Sequence, residues 1–128
     1  MYRFKHIVFL LITWISLVSF TGITDDISTA FKSGKAFKIS AFFNNKVDIT
    51  VLDKSDLVTK LEAERWLFDF FHEHTPHDFK VLHQGKSKTG LKYTIGTLST
   101  NNENFRVSFY VNTTQQKEYI QQLFIDAE

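Results

Sequence analysis

The side chains best suited to chemistry lie in the C-terminal half, where apolar and polar residues alternate. His83 can exchange a proton near neutral pH, and Tyr93 can orient it or donate a hydrogen bond. Thr97 and Gln121 add polar groups to the same side if each segment is a strand, because side chains two residues apart share a face. We therefore predict that His83, Tyr93, Thr97 and Gln121 line a pocket inside the fold.

Such a pocket has three interpretations. His83 is a core histidine satisfied by Tyr93, Gln121 or a backbone carbonyl, or the pocket binds a small apolar ligand. The third is a pocket enzyme, a lyase, isomerase or hydrolase of a small apolar substrate, that uses His83 and Tyr93. No acid falls on the predicted inner face, and Asp48 and Asp69 are the only loose candidates for a base. We therefore favour a non-catalytic domain without a cofactor and keep the enzyme as the alternative.

Three further histidines, His72, His74 and His77, lie within six residues and suggest a metal site. His72 and His74 are two apart at a predicted helix end, so their side chains diverge, whereas a helical zinc pair is four apart. Imidazoles also suit a helix C-terminus through the helix dipole. We predict no metal.

The pocket residues belong to four consecutive alternating segments. Their separators are short, polar and turn-like, which favours hairpins. The predicted strands are Phe79–Gln84, Lys92–Ser99, Phe105–Val111 and Tyr119–Ile125. The sequence therefore predicts an antiparallel meander. We place one alternate series of each strand, such as Phe105, Val107 and Phe109, on the inner face.

Helical segments precede the strands. Thr59 followed by Glu62 is a capping box that opens a helix over Lys60–His74. Shorter helices are predicted around Thr24–Phe31 and Lys35–Phe43, and Val47–Leu52 is a short strand. The order indicates an α+β fold, in which N-terminal helices pack on a curved antiparallel sheet.

The outer face of that sheet is unusually apolar. The predicted outer apolar residues are Leu82, Leu98, Tyr110, Ile120 and Phe124. An outer face that meets water is normally polar, so we predict an interface. The plainer interpretation is scattered surface apolar residues, which are common.

The first 22 residues resemble a secretory leader. Arg3 and Lys5 precede the apolar run Ile7–Phe20, which suits a signal peptide better than a bilayer crossing of roughly 20 residues. We predict a signal peptide over 1–22, a single domain over 23–128 and an exported protein, periplasmic or extracellular. The alternative is an uncleaved anchor, and only then would the protein contact the membrane.

Charge excludes one class of partner. The leader holds two of the 15 Lys and Arg and none of the 14 Asp and Glu, so the remainder carries 13 cations against 14 acids. No basic stripe is left to neutralise phosphates, and we predict no nucleic acid partner. The chain has no cysteine, so its stability depends on its core, to which many of the 14 Phe contribute.

The segment Phe31–Phe43 resembles the opening of the nuclear-transport-factor-2-like, or cystatin-like, superfamily. More closely, the chain resembles a bacterial family named domain of unknown function 4783. The matching segments are Ala63-Glu64, Asp69-Phe70-Phe71, Phe79–Gly85, Tyr93–Leu98, Phe105-Arg106-Val107 and Ile120–Ile125. Val58-Thr59 replaces the Tyr-Ser with which family members often begin the third helix.

This resemblance implies a cone-shaped fold and an exported bacterial protein. It does not indicate an activity, because a fold of this kind hosts enzymes and inert modules alike. Proteins of the superfamily commonly pair through the outer sheet face, which supports a homodimer. The sequence thus predicts a non-catalytic module that binds through the cone or the outer face, with a second copy or an envelope protein as its partner. A third hypothesis is a stability or assembly factor for a larger envelope complex.

Overall fold

A computed structural model describes residues 22–128, which form three helices and six strands. Two strands lie between the second and third helices, and four strands follow the third helix. The helices are α1 (Ile23–Ser33), α2 (Ala36–Ser40) and α3 (Lys60–Glu73). The strands are β1 (Phe43–Val51), β2 (Lys54–Thr59), β3 (Pro76–Lys86), β4 (Lys92–Thr100), β5 (Asn104–Thr114) and β6 (Lys117–Ala127). The α+β class and the four C-terminal strands are confirmed. Within this part of the chain, no helix has the length and apolar character that a membrane crossing needs.

The strands form one sheet in the order β2-β1-β6-β5-β4-β3. Strands β3 to β6 make the predicted antiparallel meander. The sheet as a whole is mixed, because β1, whose partner the sequence did not indicate, lies parallel to β6. The backbone N–H of Ile120 donates to the carbonyl of Phe42 at 2.7 Å, which fixes the entry of β1 beside β6.

Local signals account for the helix boundaries. α1 ends at Gly34, whose φ of 68° favours glycine, and a β-carbon there would lie 2.8 Å from Cδ of Pro76. The Oγ1 of Thr59 accepts a hydrogen bond from the Glu62 backbone N–H at 3.3 Å, as the capping box predicts. The second predicted helix is shorter than expected, because Phe43 already belongs to β1.

The predicted short strand Val47–Leu52 is part of β1, which forms a hairpin with β2. Val51 pairs with Lys54, so the turn consists of Leu52 and Asp53 alone. Leu52 has a φ of 57°, and its N–H donates to the carbonyl of Ile125 at 2.8 Å. Two-residue turns of this kind usually contain Gly or Asn, so the sequence carries no ordinary hairpin signal here.

Aromatic rings fill the space between the helices and the inner face of the sheet. Phe31 of α1 stacks on Phe79 with centroids 5.3 Å apart and on Phe109 at 6.1 Å. Phe70 of α3 meets the edge of Phe105 at 4.9 Å. All five rings are buried, so the interior of the cone is a packed core.

Candidate functional site

Strand β4 faces the opposite way from the prediction. Its buried residues are Thr94, Gly96, Leu98 and Thr100, whereas Tyr93, Ile95 and Thr97 are partly exposed. Leu98 is fully buried because its partners across the sheet, Phe79 and Phe105, are core residues. The placement of Tyr93 and Thr97 in an inner pocket is therefore wrong, and so is the placement of Leu98 in an outer interface.

A β-bulge at Leu82 turns His83 outward. Val81 pairs with Gly96 and His83 pairs with Ile95, so Leu82 is an extra residue between them. Such an extra residue reverses the alternation for the rest of the strand. His83 is exposed on the outer face, and its predicted inner position is wrong. Leu82 is 49% exposed, as expected of an outer residue.

A second bulge, at Gln121 of β6, has the same effect. Val111 pairs with Ile120 and Tyr110 with Gln122, which leaves Gln121 unpaired in the register. Ile120 consequently packs in the core with no exposed surface, so its assignment to the outer interface is wrong. Gln121 is partly exposed at the bulge rather than inside a pocket.

The outer face of the sheet brings together residues from both predicted groups. We call this cluster the outer patch, and it consists of His83, Tyr93, Ile95, Tyr110 and Phe124. The ring centroids of His83 and Tyr93 lie 5.6 Å apart, those of Tyr93 and Tyr110 5.9 Å, and those of Tyr110 and Phe124 6.2 Å. The four rings thus form a continuous row across strands β3 to β6.

A hydrogen bond and a glycine fix one end of this row. Nε2 of His83 and the hydroxyl of Tyr93 are 3.0 Å apart. Gly85 pairs with Tyr93 across the strands, and a β-carbon there would lie 2.7 Å from the tyrosine hydroxyl oxygen. The Tyr93 ring can therefore lie over Gly85 and reach His83, because no side chain stands between them.

Charged residues lie beside the outer patch, not within it. Lys80, Thr97, Arg106 and Asp126 follow one another in register and form the neighbouring row of the same face. Arg106 also approaches a carboxylate oxygen of Glu128 at 3.9 Å. The outer patch is therefore a largely aromatic surface that contains no Lys, Arg, Asp or Glu, and charged residues border it.

The histidines near the end of α3 do not converge. Nδ1 of His74 lies 3.0 Å from Oδ1 of Asn102, and its ring packs 4.9 Å from Phe70 and 4.8 Å from Phe105. His72 and His77 are exposed. Over residues 22–128, no three His, Asp or Glu side chains are arranged to hold a metal ion. His74 instead joins the helix end to the turn between β4 and β5.

Three surface residues were not predicted as functional. Phe37, Leu61 and Phe68 are 60%, 68% and 65% exposed on α2 and α3. Leu61 and Phe68 belong to a broad apolar stripe on α3, whose other members, among them Ala63, Leu67 and Phe70, are buried. The breadth of that stripe was the available signal, because a single helix face cannot bury so wide an arc.

The comparisons with known proteins agree with this geometry. Residues 24–126 match the family described as a domain of unknown function, DUF4783. A crystal structure of a DUF4783 family protein from Bacteroides uniformis is 34% identical, with a TM-score of 0.77 over 84% of this chain and 98% of that chain. One from Bacteroides ovatus is also 34% identical, with a TM-score of 0.75 over 80% of this chain and 93% of that chain.

A more distant structure shows the fold alone. A domain of unknown function with a cystatin-like fold from Nostoc punctiforme is 12% identical, with a TM-score of 0.62 over 82% of this chain and 72% of that chain. The cystatin-like fold inferred from the sequence is thereby confirmed. No functionally curated protein matches the sequence.

Proposed function

The chain belongs to the DUF4783 family, and we propose that it is an exported, non-catalytic binding module that pairs with a second copy of itself through the outer patch. The observation that supports this most is the row of four rings on the sheet face opposite the helices. The alternative of a pocket enzyme required an enclosed His83, whereas this imidazole is exposed and the cone is filled by aromatic rings.

The composition of the outer patch fits the centre of a protein interface. Interface centres are rich in aromatic residues and poor in charge, and tyrosines there contribute strongly to binding. Tyr110 lies in the middle of the row, between Tyr93 and Phe124. We therefore expect Tyr110 to be the residue on which pairing depends most.

The bordering charges favour a second copy of this chain over an unrelated protein. Arg106 and Asp126 are paired in register on adjacent strands, and Lys80 lies in the same row, so the border carries charges of both signs. In a two-fold symmetric contact each surface meets itself, and such a pair can match its own counterpart with opposite charges aligned. A border of one sign would repel its copy.

The pairing is tested by sedimentation velocity over low to high micromolar concentrations. We expect a dimer, and we expect Tyr110→Lys to raise its dissociation constant by about 30-fold or more, because a buried interface tyrosine is replaced by a charge. Phe68→Lys is the control, since Phe68 is also an accessible aromatic residue but lies on α3, away from the outer patch. A monomer at every concentration, or dissociation by Phe68→Lys alone, would contradict the proposal.

Export rests on the sequence of the first 22 residues. We expect native mass spectrometry of the protein, purified from the envelope of its own host, to give a mass that lacks the segment up to about Thr21 or Gly22. The same spectrum reports the stoichiometry and any retained ligand. A full-length mass would indicate an uncleaved anchor, and recovery from the cytosol alone would overturn the export proposal.

A further inference from the structure

A second surface lies on the helix layer, away from the outer patch. A groove of about 570 Å³ separates the turn into α2 from α3. The apolar part of its lining includes Ala36, Phe37, Leu61 and Phe68. We call it the helix groove. Its volume is within the range of sites that bind small ligands, which are mostly apolar with a few polar groups.

The helix groove exposes large apolar groups that a free surface normally avoids. Leu61 and Phe68 are seven residues apart on α3 and therefore share one helix face, and Phe37 faces them from α2. The opposite face of α3, with Ala63, Leu67 and Phe70, is already buried in the core. Packing of the domain thus leaves this cluster uncovered, and such a patch marks a binding surface.

The charges of the helix groove select the sign of its ligand. Lys35 and Arg65 line it, are exposed, and form no ion pair with any residue in 22–128. The one acid in the lining, Glu64, accepts a hydrogen bond from the buried hydroxyl of Ser40, so part of its carboxylate is turned inward. Two free cations beside an apolar floor complement an anion that carries an apolar chain.

We propose that the helix groove binds a single-chain anionic amphiphile of the fatty-acid type. Its chain lies over Phe37, Leu61 and Phe68, and its carboxylate contacts Arg65 and Lys35. A neighbouring groove of about 430 Å³ shares Phe37 but is lined by both Asp26 and Lys38, so it has no such preference for an anion. The proposal goes beyond pairing through the outer patch and does not depend on it.

A concave site with cations at its side favours one chain over a bilayer. A protein that lies on a membrane buries a projecting apolar face in the interface. Here, the apolar groups lie along a groove between two helices, so a single chain can contact both walls of the groove at once. The bilayer is therefore the competing occupant that the experiment must distinguish.

The test is isothermal titration calorimetry of the full chain with dodecanoate below its micelle concentration. We expect binding of one dodecanoate per chain and binding about tenfold weaker for dodecyltrimethylammonium, which has the same chain and the opposite charge. Arg65→Gln should lower the affinity for dodecanoate by about tenfold, because a charge-assisted contact is lost. Phe68→Ser should lower this affinity by about tenfold or more, because apolar contact with the chain is lost.

Two controls separate the helix groove from general surface binding. Leu57 is 61% exposed on β2, and Lys46 is an exposed cation on β1, so Leu57→Ser and Lys46→Gln should leave the affinity unchanged. Circular dichroism of each variant checks the fold. The proposal is overturned if dodecanoate does not bind, if the controls weaken it as much as Arg65→Gln, or if only phosphatidylglycerol vesicles bind. Because Arg65 and Phe68 lie on α3, away from the outer patch, sedimentation of Arg65→Gln and Phe68→Ser reports pairing separately.

Discussion

Replacing Phe31 with alanine is expected to lower the free energy of unfolding by about 3–5 kcal/mol, the usual cost of removing a buried ring. Phe31 has no exposed surface and contacts three other rings, stacking on Phe79 and Phe109 and meeting Phe71 edge to face at 6.4 Å. A domain of this size has a total stability of about 5–15 kcal/mol, so the variant would be marginally folded. Urea denaturation followed by circular dichroism measures the change.

Phe37 provides the matched control for this experiment. It lies six residues later, on α2, and is 60% exposed. Phe37→Ala should change the free energy of unfolding by no more than about 0.5 kcal/mol, as is usual for surface positions. Equal losses for the two variants would mean that α1 does not fill the cone as described.

The sequence was sufficient to predict the helices and the number of C-terminal strands. The capping pair Thr59 and Glu62 marks the start of α3, and Ser33-Gly34 marks the end of α1. These signals are local, so they can be recognised in the sequence without knowledge of the tertiary structure. The parallel pairing of β1 with β6 joins residues far apart in sequence, and no local pattern specifies it.

It was harder to predict which side of each strand is buried, and this determines which residues form the candidate site. In β4 both faces carry apolar groups, Leu98 on one and Tyr93 and Ile95 on the other, so alternation alone gives two equal solutions. The cross-strand partners Phe79 and Phe105 select the solution that buries Leu98. A prediction made from one strand at a time cannot include these cross-strand contacts.

Bulges account for the other errors at the site. One extra residue in β3 moves His83 to the outer face, and one in β6 moves Ile120 to the core. A bulge has only a weak sequence signature, because the extra residue, here Leu82 or Gln121, is of an ordinary type. Tyr110 lies in β5, which has no extra residue, and Phe124 lies in β6 after the bulge at Gln121. Alternation holds at both positions, and both residues are on the outer face as predicted. Whether they form an interface remains a prediction.

Gly96→Ala is expected to lower the free energy of unfolding by about 1–3 kcal/mol, as other insertions into a packed core do. A β-carbon at Gly96 would lie 2.5 Å from Cζ of Phe79 and 2.8 Å from the carbonyl oxygen of Lys80. Alanine is otherwise preferred over glycine in a strand by about 0.5–1 kcal/mol, so the sign of the change is itself informative. Urea denaturation of the variant gives both sign and size.

A double-mutant cycle with Phe79→Leu identifies which contact is responsible. Leucine lacks the distal ring carbon, so the added methyl group would then meet only the carbonyl of Lys80. The cost of Gly96→Ala should therefore be smaller in the Phe79→Leu background, with a coupling of about 0.5–3 kcal/mol between the two sites. Equal costs in both backgrounds would show that the Phe79 ring yields freely. In that case the inward facing of β4, which places Tyr93 and Ile95 on the outer patch, would not depend on Gly96 accommodating this ring.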